Sequence, residues 1–107
     1  SECKNATGWW IKNSVWFSRL SQDPAFLQKV KNKWQDFKAN KLLGILSHID
    51  QTEKYLAVSA NYNFTRWDIL NTYVWPNPVV TGSYHGEVTY TRKWLTDRAN
   101  WMDTQLQ

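Results

Sequence analysis

The sequence predicts an all-α fold: a small helical bundle of one short helix, a helical hairpin, an aromatic-rich loop and a long terminal helix. Three observations lead there. Apolar residues recur with a 3.6-residue period over three separate stretches of the 107 residues. A helix-start signal, Asp23-Pro24, stands directly before one of them. Four Gly and three Pro are too few for a turn-dense, many-stranded fold.

Residues 1–7 read as an irregular lead-in, and the helical part spans 8–107. Gly8 punctuates the start, and Trp9-Trp10-Ile11 anchor it. Asn13 and Ser14 offer N-cap oxygens to a short helix, in which Trp16, Phe17 and Leu20 share a face. Asp23 is the next N-cap. Pro24 follows at the first helical position, where its missing N–H costs nothing. Phe26, Leu27, Val30, Trp34 and Phe37 then carry a stripe to about Lys38 or Asn40.

A second long stripe, Leu42, Ile45, Leu46, Ile49, Leu56 and Ala60, predicts a helix over 41–60. With so short a break between them, these two helices are expected to pair as an antiparallel hairpin. Residues 61–82 lose the period. Asn61 and Asn63 read as breakers, Trp67, Ile69 and Leu70 as a short turn, and Val79-Val80 as a brief strand. The aromatics of this stretch are expected to pin it to the helices, with Trp75 plugging a loop. The last helix begins near Ser83 or Tyr84 and runs to the C-terminus along Val88, Thr91, Trp94, Leu95, Arg98, Trp101, Met102 and Leu106. Glu87 in its first turn suits the helix dipole.

Composition sets the outer bounds. A hydrophobic share of 42% with 21% charged residues is globular, and the length allows one modest core. Eight Trp in a chain this short gain buried area per residue. Apolar runs such as Tyr73-Val74-Trp75 are far shorter than the roughly 20 residues that span a bilayer. The chain opens on Ser1 with no basic-then-apolar leader, so a processed protein or an excised piece is expected. The single Cys3 can form neither an internal disulfide nor a thiolate zinc cage, and reads as an ordinary thiol. Net charge is +4, much of it from Lys29, Lys31, Lys33, Lys38 and Lys41. Lysines spread around a helix without a nucleic-acid motif read as a solvated face, so nucleic acid is not the expected partner.

No catalytic constellation emerges. His48-Ile49-Asp50 and His85-Gly86-Glu87 each place a His two residues from a carboxylate, and on a helix such positions point apart, so no metal site is expected. Asp50 and Glu53 share a face but read as solvated beside Lys54, and Asp97, Arg98 and Asp103 as ordinary terminal-helix charges. There is no Gly-rich phosphate cradle and no G-x-S-x-G elbow. Trp16, Trp34, Trp94 and Trp101 sit on helical stripes, where core packing is the expected role. The alternative is a secreted carbohydrate-binding module that stacks exposed Trp on polysaccharide.

Four stretches taken together resemble a known family: GWWIKNSVWFSRLSQDPAFLQKVKNKW, ILSHIDQTEKYL, NFTRWDILNTYVWPNPVV and GEVTYTRKWLTDRANWMD. Their order and spacing look like the C-terminal part of CotH-type proteins, the spore-coat kinase family, from about Gly8 to Asp103. The resemblance implies an atypical protein kinase with a divergent kinase-like fold, bacterial and extracellular or on the cell surface. In that family the ATP-binding Lys and the metal-binding Asp residues lie in the part preceding this segment, and no residue here matches them. ATP and Mg are therefore implied only for a full-length kinase. This chain then corresponds to a noncatalytic helical tail whose partner is the preceding lobe. Trp9, Trp10 and Lys12 stand nearest that lobe in sequence, and are the candidates for the lobe interface or nucleotide-pocket rim.

Overall fold

The computed structural model describes residues 4–107; Cys3 lies outside the described residues. A 3-10 turn at Ile11–Asn13 leads into five α-helices: α1 Val15–Leu20, α2 Pro24–Asn40, α3 Leu42–Tyr55, α4 Ala57–Arg66 and α5 Tyr84–Gln105. No strand occurs among the described residues. The fold is all-α, as the periodicity predicts.

Local chemistry sets the clearest boundaries. Asp23 caps α2 by accepting from the Ala25 N–H at 2.9 Å, with Pro24 at the first helical position. Ser83 caps α5 by accepting from the Gly86 N–H at 2.9 Å. Glycine is needed at 86, because a Cβ there would lie 2.8 Å from the Thr81 hydroxyl. Ser14 occupies the N-cap position of α1, but its side chain makes no capping bond.

Two expectations about the middle of the chain need correction. The helix expected over 41–60 is two helices meeting at Leu56, and the second runs to Arg66, through Asn61 and Asn63. The ladder nearly survives the junction: Leu56 N–H donates to Thr52 O, and Ala60 N–H to Leu56 O. An Asn costs a helix at most about 0.7 kcal/mol relative to Ala. Half-burying Phe64 against the Tyr84 ring, at 6.4 Å between centroids, returns on the order of 1–2 kcal/mol and outweighs that cost. Val79-Val80 forms no strand.

Helices α2 and α3 of the expected pair are joined by Lys41 alone. The cross-links run from α3 to α5. Asp50 pairs with Arg92 at 3.0 Å, Glu53 with His85 at 2.5 Å, and the Tyr84 hydroxyl donates to the Glu53 carbonyl. The order of these partners makes α3 and α5 antiparallel. Asp50 and Glu53 are thus tie points to the last helix, which corrects their reading as a solvated face.

The core sits where α2 meets the end of α5. Trp34, Ala99 and Leu106 are buried together, with Trp9, Val30, Phe37, Leu42 and Met102 packed around them. It is a thin core, and among the described residues no large side chain is fully buried. The molecule is elongated, 53 × 29 × 19 Å, with a radius of gyration of 17.7 Å. A compact chain of this length has about 13 Å. Accessible surface is 8366 Å². A folded monomer of this mass exposes about 6,200 Å², so about 2,100 Å² is in excess.

That excess is aromatic and aliphatic. Trp16, expected in the core, is 80% exposed, and so is Trp75, expected to plug its loop. Tyr62, Trp67 and Tyr73 are also exposed, so the aromatics of the connecting segment do not pin it down as expected. A 3.6-residue stripe identifies the apolar face of a helix, but not whether this chain has anything to cover it.

Candidate functional site

The residues that converge most tightly lie where the lead-in crosses α5. Trp94, Arg98 and Trp101 form one row on that helix, at i, i+4 and i+7. Trp94 Nε1 donates to Lys4 O at 3.1 Å. Arg98 Nη1 donates to Gly8 O at 2.8 Å and to Ala6 O at 3.2 Å. The lead-in is therefore fastened to α5 by its own backbone carbonyls. Gly8 has φ +105°, a backbone that other residues rarely adopt, and its bare α-carbon lets the Trp10 ring close over it.

This clasp places Trp9 on Trp101, with ring centroids 4.9 Å apart and planes at 57°. The Arg98 guanidinium lies 4.9 Å from the Trp101 ring and 5.5 Å from the Trp9 ring. Lys12 Nζ stands 5.1 Å from the Trp9 ring. Each such cation–ring contact contributes about 0.5–2 kcal/mol. Of the three candidate residues, Trp9 and Lys12 share this cluster. Trp10 turns away to cover Gly8 and stays partly exposed.

Trp9 also forms one wall of an apolar groove of about 450 Å³ between α2 and α5, with Val30, Trp34, Phe37, Leu95 and Met102 on the other sides. Its charged groups are Lys33 and Arg98. At the far end, Asp103 accepts from Trp34 Nε1 at 3.1 Å and from Lys38 Nζ at 2.5 Å. The bond from Lys38, and then that from Trp34, holds the Asp103 carboxyl below the usual aspartate value. Rings, aliphatic side chains and a guanidinium can bind and orient a partner.

Sequence reasoning missed Arg98, Trp101 and Asp103 as parts of a site. Arg98 and Asp103 are corrected here from ordinary helix charges to the clasp and the α2–α5 tie. Asp97 fits the ordinary reading, pairing with Lys93 one turn away. The available signal was the row of Trp94, Arg98 and Trp101, but its partners lie about 90 residues away in sequence. His85 meets Glu53, and Glu87 accepts from the Thr81 N–H. Among the described residues, no three His, Cys, Asp or Glu groups come together as a metal site, and no helix is long and apolar enough to cross a membrane.

The sequence model of one protein family, described as CotH kinase protein, matches residues 4–102, nearly the whole chain. No curated protein and no solved structure matches it.

Proposed function

The chain belongs to the CotH kinase protein family, and from that premise we propose that it is the noncatalytic helical C-terminal portion of a CotH-like atypical kinase, packing against the phosphotransfer lobe and supporting it. The observation that carries this reading is the excess of about 2,100 Å² of surface over a compact monomer. One partner in a standard interface buries about 800 Å², and obligate interfaces are larger and more apolar. An excess of this size, rich in Trp, Tyr, Val and Leu, is what a subdomain presents when its partner lobe is removed.

ATP and Mg come with the family. Among the described residues no three His, Cys, Asp or Glu groups come together, and the groove between α2 and α5 is walled mainly by rings and aliphatic side chains. On the family resemblance we assign nucleotide and metal to the preceding lobe, and derive no phosphoryl-transfer step here. A bacterial extracellular or cell-surface setting is proposed from the family alone. The carbohydrate-binding alternative is not favoured by the family match; Trp9 is half-buried and engaged by Trp101, Arg98 and Lys12, while Trp16 and Trp75 keep exposed rings.

The test is transfer of labelled γ-phosphate by the purified 107-residue chain, with its helicity checked by circular dichroism. No transfer is expected. Robust transfer that a point substitution within these residues abolishes overturns the reading.

A further inference from the structure

We propose that residues 11–20 are the arm that docks on the phosphotransfer lobe, and that the lobe receives them in an apolar cleft rimmed by carboxylates. This rests on the packing role argued above and selects the face that performs it.

Apart from the connecting segment with Trp67, Tyr73 and Trp75, the described residues present two bare apolar surfaces. One is the outer face of α3 and α4, where Tyr55, Val58 and Tyr62 follow at helical spacing. Helix α4 already has a partner: on its opposite face Phe64 meets the Tyr84 ring, at 6.4 Å between centroids. The other surface is the arm. Every residue from 11 to 20 is exposed, with Val15 at 81% and Ile11, Phe17 and Leu20 beside Trp16. The arm's main internal contact joins α1 to the 3-10 turn just before it. A helix of six residues is far below the ~12–15 at which isolated helices become even marginal in water. A packed helix can leave one face open, whereas α1 needs an outside surface to remain a helix.

Charge selects the occupant. From Lys4 to Gln22 the chain carries Lys4, Lys12 and Arg19 and no carboxylate. A second copy offering its apolar groove would set Lys33 and Arg98 against those cations, a like-charge contact. A cleft that takes Val15 and Trp16 and meets Lys12 and Arg19 with Asp or Glu satisfies both the apolar area and the charge.

The experiment uses the full parent protein with a photoreactive benzoylphenylalanine at position 16 or, separately, at position 58. Both sites are exposed, so neither replacement disturbs the packing of this chain. Position 16 is expected to crosslink within the same chain to residues preceding this segment, and position 58 is not. If 58 reaches the lobe and 16 does not, the arm assignment falls and the packing role survives. If neither does, both fall. A crosslink from 16 to a second copy also overturns the arm assignment. In the same protein, Arg19→Glu is expected to raise thermolysin cleavage within 11–20 about tenfold by loosening the docked arm, and unchanged cleavage overturns the carboxylate rim.

Discussion

Trp16 and Trp34 each sit on the apolar stripe of a helix, 18 residues apart, yet one ring is 80% exposed and the other 7%. Helix α2 is held by α5 through Trp34 and Lys38 on Asp103, over a shared apolar cluster. Helix α1 has no comparable neighbour among the described residues. The difference teaches that a stripe reports a need for cover, and that of these two helices only α2 meets that need within the described residues. The α2–α5 region should govern the stability of this chain, and the bare arm should govern its association.

The sharpest way to break that contrast is to remove the buried ring. Trp34→Ala opens the core and takes one donor from Asp103, and should cost about 3–5 kcal/mol by denaturant unfolding. A loss below 1 kcal/mol would mean that the α2–α5 contact is not what holds the chain together. Arg98→Ala comes next. It removes both carbonyl bonds and the guanidinium between Trp9 and Trp101, for about 2–3 kcal/mol. Its specific mark is faster amide exchange across residues 4–9, with α3 unchanged.

Acid gives a smaller effect. Because the folded Asp103 pKa is lowered from 3.8, its contribution is fully present above that ordinary value and fades as pH falls through the lowered one. Asp103→Asn should therefore flatten the acid limb of the stability curve, and an unchanged limb would assign acid unfolding to other carboxylates. The smallest effect belongs to Trp16→Ser, within about 0.5 kcal/mol for this chain alone. A larger loss would show that α1 packs internally after all.

Much of the fold was legible because its signals are local. Asp23-Pro24 and Ser83 announce α2 and α5 through capping chemistry that acts over two or three residues. Helix α4 was not legible, because the cost of Asn61 and Asn63 is visible in the sequence while the compensating Phe64–Tyr84 contact spans 20 residues. The site was legible only in part. Trp9 and Lys12 drew notice only because they stand nearest the preceding lobe in sequence. Arg98 and Asp103 look like any charges on a solvated helix until the chain brings Gly8 and Trp34 to them. Trp16 shows the converse, since its periodicity matches a core position and the cover is absent.

Helix α5 receives three other parts of the chain at different heights: α3 at His85 and Arg92, the lead-in at Trp94 and Arg98, and α2 at Ala99, Asp103 and Leu106. Each residue of an α-helix turns the next by about 100°. One amino acid inserted between Arg92 and Trp94 would thus swing the lower attachments off their targets while leaving the upper ones aligned. Descent can vary the residues along this spine more freely than it can vary their number.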